Sequence, residues 1–274
     1  MKKNILLVAI LSTSFGLVAC DSKKNVPETQ TSQSNTTTVD QKTDDVKEIV
    51  IPAVSSKSYK MELVNKEICY PNTDDEIGGC TLYDLQSVKT NIDWINQYYN
   101  DHLRDLYSEN AFGKKSTFKL EGEDADRKLY EGSLVSFENQ QYNLVTFSQF
   151  HNSYSGGAHN MFNTQYDVFD LNIKKKLTLD DILKPNAKAK VLALLKEQNQ
   201  EDLKEYNTDL NELYLTENFY FGSNGLVFVY APYQIAAFVY GMPELTVSYR
   251  NLEGLIKSEY IPDSPDFSLS EEFS

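Results

Sequence analysis

A basic start, an apolar run and a cysteine follow one another in the first twenty residues, and they limit how much of the chain is left to fold. Lys2 and Lys3 precede an apolar stretch, residues 5–18, that only small or hydroxylated side chains interrupt. This stretch is short for a permanent transmembrane helix, which needs about 20 apolar residues. Its order of charge, apolar run and small residues is typical of an export signal. We therefore predict that residues 1–19 are a signal peptide.

The end of this signal carries a second pattern. Leu17, Val18, Ala19 and Cys20 resemble the lipobox of bacterial lipoproteins. In that class the cysteine thiol receives diacylglycerol, often carrying palmitate, the chain is cut before the cysteine, and the new amine is usually acylated too. Two or three acyl chains give stable anchoring where one does not. The resemblance implies a lipid on Cys20 and a folded part outside the cytoplasm, on the periplasmic side of a bacterial membrane.

Other interpretations of this segment stay open. They are an ordinary secretory signal with a chance cysteine, or an uncleaved anchor. Asp21 resembles the inner-membrane retention signal of enteric lipoproteins, but that rule varies between bacteria, so inner and outer membrane are both possible hosts. Residues 21–48 are almost free of apolar side chains and cannot bury enough surface to fold, so we expect a disordered tether. About 225 residues from Ile49 onward remain for the folded part.

Acidic residues dominate the charge of the mature chain. Loss of Lys2 and Lys3 with the signal leaves 24 basic against 40 acidic residues, a formal charge of −16. Such a surface repels the phosphates of nucleic acid, so we expect no nucleic-acid partner. A cationic protein is the kind of partner that this charge favours.

Aromatic residues are numerous, with 18 Tyr and 14 Phe. Because aromatic side chains favour strands, packing in a sheet is their expected role. An aromatic carbohydrate-binding surface is the alternative.

Cys69 and Cys80 are the two cysteines left once Cys20 carries lipid. In an oxidising compartment a pair eleven residues apart is expected to form a disulfide. A metal site is the alternative, but two cysteines without a nearby histidine make a poor one. We expect no metal and no cofactor.

The apolar pattern predicts two helices and several strands. Apolar side chains recur at spacings of three and four over residues 85–106, with Asp84 as the N-cap. A second helix is expected from Asn186 to about Leu203, and a short helical turn at residues 178–183 with Asp180 and Asp181 as capping residues. The Asn224-Gly225 step indicates a hairpin. Strands are expected over residues 58–69, 129–138, 141–152, 159–170, 219–221, 226–230 and 245–249.

Hairpins mixed with separate helices predict an α+β fold, a largely antiparallel sheet with helices packed on one face. We divide the chain into five predicted segments. They are the lipoprotein signal peptide (1–19), the lipidated cysteine and disordered tether (20–48), a small α+β N-terminal region (49–128), a C-terminal α+β domain (129–262) and an acidic tail (263–274).

The sequence lacks the motifs of the common catalytic sites: G-x-S-x-G, H-E-x-x-H, the P-loop and G-x-G-x-x-G. His151 and His159 flank a Gly-Gly pair and could meet across a hairpin, where Asp167 would complete a metal-binding set. Simple hydrogen bonding near a loop is the plainer interpretation. Ser155 near His159 would need a base within hydrogen-bond reach and an orienting acid, and the sequence indicates neither.

Several motifs that follow one another along the second half of the chain resemble one domain family. They are YSGGAH (154–159), YDVFDL (166–171), LTLDDI (177–182), FYF (219–221) and LVFVYAPYQIA (226–236), followed by Gly241. The pattern looks like the extracytoplasmic domain of unknown function that the anti-sigma factor RsiV shares with the peptidoglycan deacetylase PdaC. The resemblance covers roughly residues 129–257.

The resemblance implies an accessory α+β module outside the cytoplasmic membrane, with no agreed catalytic motif. In RsiV the domain binds lysozyme, a cationic protein that would suit this acidic surface. We find neither an RsiV-like cytoplasmic segment nor the Asp-and-His metal motif of a deacetylase domain, so we expect neither sigma-factor regulation nor deacetylation.

Together these observations predict a membrane-anchored, non-catalytic binding lipoprotein. Its expected partner is a cell-wall component such as peptidoglycan, or a wall-directed protein such as lysozyme. The alternative is an envelope polymer hydrolase with a site near Ser155–His159, which would need a pocket where a histidine and a carboxylate lie within reach of each other. The expected binding loop comprises Tyr154, Ser155, Gly156, Gly157, His159 and Tyr233.

Overall fold

Two sheets of unequal size organise the fold. The computed structural model describes residues 51–73 and 78–261, so the predicted signal peptide, Cys20, the tether and the acidic tail lie outside the described residues. The strands within them are β1 Ser56–Lys60, β2 Glu67–Tyr70, β3 Gly79–Thr90, β4 Lys128–Gln141, β5 Leu144–Tyr154, β6 Met161–Asp170, β7 Lys175–Lys176, β8 Phe219–Phe221, β9 Gly225–Val229 and β10 Glu244–Ser248. The helices are α1 Asp93–Leu106, α2 Glu123–Asp126, α3 Leu179–Ile182, α4 Lys188–Gln198, α5 Gln200–Glu205 and α6 Tyr249–Leu252.

The larger sheet has the strand order β1-β3-β4-β5-β6-β7, with β2 also paired to β3. Its pairings are antiparallel except for the parallel pair β3 and β4. Parallel neighbours need a long crossover connection, and α1 lies on it. The α+β fold with a largely antiparallel sheet is therefore confirmed. Since β3 precedes and β4 follows the predicted boundary at residue 128, one sheet runs across that boundary.

Helix α1 begins later than the sequence predicts. Asp84, Leu85 and Val88 lie in β3, and the helix starts at Asp93. The spacing of Leu85 and Val88 happens to continue the helical repeat, but pairing of β3 with β1 and β4 overrides it. Asp84 is no N-cap, because it lies within β3 and the N-cap of α1 is Ile92; the Asp84 carboxylate forms an ion pair with Lys60 at 3.2 Å.

Helix α1 covers one face of the large sheet. Its fully buried side chains recur at a spacing of four and pack against one side of β3 to β6, where Val145 and Phe169 point toward the helix. Their neighbours Leu144 and Val168 point the other way and join a second core with α3, α4 and the small sheet. The buried α1 residues are Ile95, Tyr99 and Leu103.

The small sheet has the order β10-β9-β8, and its hairpin β8–β9 confirms the prediction from Asn224-Gly225. Gly225 is required for close approach, because a Cβ there would lie 2.2 Å from the carbonyl oxygen of Val247 on β10. Strand β10 alternates buried and partly exposed side chains, as predicted for a strand with one solvated face.

Several predicted boundaries are wrong by a few residues. The strand predicted over residues 58–69 is two strands, β1 and β2. The β4–β5 hairpin turns at Tyr142 and Asn143 instead of at the two residues between the predicted strands, 139–140, and a β-bulge after Phe137 shifts its register by one residue.

The second helix is also divided. Its N-cap is Ala187 instead of Asn186, and it breaks at Asn199, whose side chain bonds the backbone N–H and carbonyl oxygen of Thr246 on β10, both at 3.0 Å. The capping prediction for α3 holds for Asp181, which forms a reciprocal capping box with Thr178.

The disulfide bears on where the domain works. Cys69 and Cys80 form the predicted disulfide between β2 and β3, a bond expected of a domain that folds outside the cytoplasm. Among residues 51–73 and 78–261, no helix is both long and apolar enough to span a bilayer.

Candidate functional site

The predicted binding loop connects β5 to β6. Gly156 and Gly157 have φ values of 95° and 116°, a region that side chains other than glycine rarely adopt. The hydroxyl of Tyr154 donates a hydrogen bond to the carbonyl oxygen of Gly157 at 3.1 Å, and the Asn160 amide donates one to Asn152 at 3.2 Å. The loop therefore has a defined shape that its glycines and its own hydrogen bonds support.

The far end of this loop belongs to an exposed aromatic patch, which we define as His159, Phe162, Tyr233 and Phe238. The His159 ring stacks on Phe238 with a centroid distance of 4.1 Å. Tyr233 and Phe162 contact the same Phe238 ring at 5.6 and 5.5 Å. The structure thus brings together His159 and Tyr233, two predicted site residues that are distant in sequence. It does so through Phe238, which the sequence analysis did not select.

Two residues of this patch, Tyr233 and Phe238, belong to a segment without charged side chains. Residues 231–243, APYQIAAFVYGMP, contain no charged side chain, although 24% of the chain is charged. Tyr233 is 59% exposed and Val239 is 85% exposed. Exposed apolar patches of this kind mark interaction sites more often than scattered apolar residues do. The absence of charge over thirteen residues was the sequence signal for Phe238 and Val239.

The near end of the same loop borders a cleft, which we call the tyrosine cleft. Its volume is about 370 Å³, and Tyr154 and Ser155 lie on its wall together with Glu131 and His151. The six predicted loop residues are therefore divided. Tyr154 and Ser155 face the cleft, His159 and Tyr233 belong to the aromatic patch, and Gly156 and Gly157 form the turn between them.

Both ring nitrogens of His151 are occupied within the cleft. Nδ1 lies 3.0 Å from the Tyr107 hydroxyl and Nε2 lies 3.3 Å from a Glu131 carboxylate oxygen. Burial, with the nearby Glu131 carboxylate, raises the pKa of Tyr107, so its phenol remains protonated. In the tautomer whose Nδ1 accepts from this phenol, Nε2 donates to Glu131. This arrangement leaves His151 with no ring nitrogen for Ser155.

The two histidines do not form the pair that a metal site would use, but the histidine and carboxylate that the hydrolase alternative needs do lie together in the tyrosine cleft, as His151 and Glu131. His159 contacts Phe238 and the Asn160 carbonyl oxygen, while His151 contacts Tyr107 and Glu131. The predicted third ligand, Asp167, is 2% exposed and bound by the Tyr99 hydroxyl at 2.9 Å and by Lys176 at 2.5 Å. Burial lowers the pKa of Lys176, but the Asp167 carboxylate more than offsets this and raises it.

Within the described part of the chain, one cluster has the ligand types and spacing of a metal site: Glu67, Cys69 and Cys80. Its two cysteines are bonded to each other, so their sulfurs are not thiolate ligands.

Comparison with known proteins finds one family match, in the second half of the chain. Residues 173–250 match the family described as "Protein of unknown function (DUF3298)". The matched residues lie within the segment 129–257 that carries the sequence resemblance. The C-terminal half therefore contains a recognised domain of unknown function, while the link to RsiV and PdaC rests on the sequence motifs. No curated protein matches the chain.

Two solved structures share the fold. A DUF3298 family protein from Pseudomonas aeruginosa PAO1 superposes with a TM-score of 0.58 at 18% identity, covering 78% of this chain and 99% of that one. A DUF3298 member from Bacteroides fragilis NCTC 9343 gives a TM-score of 0.52 at 21% identity, covering 76% of this chain and 95% of its own. The aligned part of this chain is much longer than residues 173–250, so the common fold includes more than the matched family segment.

Proposed function

We propose that this chain is a cell-envelope lipoprotein, anchored through acyl chains on Cys20, whose folded part is a non-catalytic binding domain for a wall-directed protein such as lysozyme. The observation that carries the proposal is the aromatic patch with its charge-free segment, residues 231–243, exposed on a domain of strongly acidic composition. Aromatic side chains supply much of the binding energy in protein interfaces. The surrounding acidic surface would attract a cationic partner and speed its encounter.

The disulfide and the predicted tether support the same proposal. A tether of 28 residues, 21–48, would let the domain move by roughly 30 Å from its lipid, since flexible chains span about 5–6 Å times the square root of their length. A partner that attacks the wall would then meet the domain at the membrane surface.

Titration calorimetry of the mature chain against lysozyme tests the proposal, with muropeptides as the second ligand. The double substitution Tyr233→Ser with Val239→Ser should weaken lysozyme binding by about tenfold or more, because both side chains are exposed and would contact the partner. Ile173→Ser is the matched control: it removes an exposed apolar side chain (58% exposed) elsewhere and should leave the affinity unchanged. Raising the salt concentration should weaken binding, because it screens the opposed charges.

Absence of lysozyme binding would refute this version of the function, and binding of muropeptides alone would replace the protein partner with a wall component. Release of soluble fragments from peptidoglycan by the wild-type chain would instead favour the hydrolase. That activity would need a base other than His151 in its present hydrogen bonds.

A further inference from the structure

The tyrosine cleft is a second site, separate from the aromatic patch that the proposed function uses. Five segments that are distant in sequence each contribute one tyrosine to its wall: Tyr70 on β2, Tyr83 on β3, Tyr107 after α1, Tyr130 on β4 and Tyr154 at the end of β5. A volume of about 370 Å³ lies at the small end of the range for ligand pockets, about 300–1,000 Å³. The cleft is therefore of a size for a small molecule or one unit of a polymer.

Two of the cleft tyrosines, Tyr83 and Tyr130, have phenols whose pKa is raised, so they serve as neutral hydrogen-bonding groups. Burial and the neighbouring Tyr70 raise the pKa of Tyr83, and burial with the Asp84 charge raises that of Tyr130. The rings of Tyr83 and Tyr107 meet edge to face at 6.3 Å. A neutral phenol can both donate and accept a hydrogen bond, and its ring offers an apolar face.

One carboxylate lies among these phenols, and its position is fixed. Glu131 and His151 occupy neighbouring strands, one diagonal step apart on the same face, because Glu131 pairs with Ser153 and His151 with Ser133. His151 holds one Glu131 oxygen at 3.3 Å and is itself held by Tyr107. The Glu131 side chain remains 34% exposed toward the cleft, so its carboxylate can accept further hydrogen bonds.

The lining excludes some classes of ligand. Neither lysine nor arginine lines the cleft, so it offers no fixed positive charge to a phosphate or a carboxylate. The remaining polar lining consists of neutral groups, including Thr81, Asn110 and Ser155. Aromatic faces, neutral hydroxyls and a single carboxylate are complementary to a molecule with apolar C–H faces and many uncharged hydroxyl groups.

We infer that the tyrosine cleft binds a neutral sugar ring, such as one unit of a glycan chain. The partly exposed rings of Tyr70, Tyr130 and Tyr154 contact its C–H face, and the Glu131 carboxylate accepts hydrogen bonds from its hydroxyls. The inference does not depend on lysozyme binding, because it uses different residues. It also gives a role to Tyr70, Tyr130 and Tyr154, the cleft tyrosines that are not buried in the core.

Calorimetric titration of the mature chain with N-acetylchitotriose and with maltotriose tests the inference. We expect millimolar binding of at least one of them, and the preferred sugar distinguishes an N-acetylated wall-type glycan from a plain hexose chain. Glu131→Gln keeps the side-chain shape and should weaken sugar binding by about three- to tenfold, the effect of one or two lost hydrogen bonds. Tyr70→Ser, at a 43% exposed ring on the rim, should weaken it to a similar extent.

Matched variants separate this site from the aromatic patch. The Tyr233→Ser and Val239→Ser double variant should retain sugar binding, and Glu131→Gln should retain lysozyme binding. In wild-type protein the NMR signals of the His151 ring should shift on addition of sugar, which tests the site without any substitution.

Three results would overturn the inference. They are no heat and no shift with either sugar, sugar binding that ignores both cleft substitutions, or tighter, Glu131-dependent binding of tetramethylammonium, which would make the cleft a cation site.

Discussion

Tyr249 illustrates how a single buried phenol couples this fold to pH. Its hydroxyl donates a hydrogen bond of 2.7 Å to the carbonyl oxygen of Gly222, which ties the end of β10 to the β8–β9 turn. Burial raises the pKa of Tyr249 from an ordinary value near 10 to about 12. The folded state therefore holds this proton more tightly than the unfolded state.

Replacement of Tyr249 by Phe should lower the free energy of unfolding, and the loss should be largest below pH 10. Because the folded pKa is raised, the stabilising effect of the phenol is complete below pH 10 and is lost as the pH rises toward 12. We expect Tyr249→Phe to lower the free energy of unfolding by about 1 kcal/mol at pH 9. The difference from wild type should shrink by at most about 1.4 kcal/mol per pH unit above pH 10.

Urea unfolding of both proteins at pH 9 and pH 11 measures this difference. Tyr142→Phe, at an exposed ring on the β4–β5 turn, is the control and should match wild type at both pH values. If the free energies of unfolding of wild type and Tyr249→Phe differ by the same amount at pH 9 and pH 11, stability is not linked to the titration of Tyr249.

The candidate site was only partly predictable at the level of single residues. The Gly156-Gly157 turn follows from local chemistry, and the structure gives both residues a positive φ. Glu131 carries no local signal of its own, and the charge-free segment 231–243 does not single out Phe238 within it. Each acquires a role from residues far away in sequence, Phe238 from His159 and Glu131 from His151. Such contacts follow from strand pairing, which cannot be determined from a single sequence.

Among the elements, those with a complete local signal were predicted best. The β8–β9 hairpin and β10 combine alternation with turn residues, and both are present. The start of α1 was wrong because Leu85 and Val88 fit a helical repeat as well as a strand. Only the neighbours β1 and β4 decide between the two, and the parallel pairing of β3 with β4 is a long-range contact.

The disulfide contributes more than strand pairing to holding the short strand β2 against β3. It has four residues and pairs only with β3 in the described sheet, where Cys69 lies directly opposite Cys80. Closing a loop of eleven residues restricts the unfolded chain by about 2–3 kcal/mol in the chain-entropy account. The same bond fixes Tyr70, the next residue, on the rim of the tyrosine cleft.

The double substitution Cys69→Ala with Cys80→Ala should therefore lower the free energy of unfolding by about 2–3 kcal/mol. Urea unfolding at pH 7 measures the loss, and wild-type protein unfolded with a reductant serves as the matched control. Equal stability of the oxidised protein and the double variant would show that β2 is held by packing alone.

At the scale of the whole molecule, the two sheets are joined by side-chain amides as well as by apolar packing. Asn218, just before β8, accepts a hydrogen bond from the Tyr166 N–H and donates one to the Thr164 carbonyl oxygen, both at 2.8 Å. It thereby continues the hydrogen bonding of β6 at the edge of the large sheet. Beside it the Tyr166 and Tyr220 rings pack with centroids 4.6 Å apart. At the opposite edge of the small sheet, the Asn199 side chain, between α4 and α5, bonds the backbone N–H and carbonyl oxygen of Thr246 on β10.

Asn218→Ala should destabilise the folded domain by about 1–3 kcal/mol, because the substitution leaves a partly buried N–H and a partly buried carbonyl oxygen of β6 without their partner. Guanidinium unfolding, followed by the fluorescence of Trp94, which packs on Phe169 of the large sheet, and by far-ultraviolet circular dichroism, measures the loss. Asn211→Ala, at an exposed position in the same connection, is the control and should change stability by less than about 0.5 kcal/mol. If Asn218 joins the sheets, the two probes should also separate in the variant, since the small sheet would unfold before the large one. Coincident transitions with wild-type stability would mean that the apolar core shared by Val168 and Phe228 is sufficient to hold the sheets together.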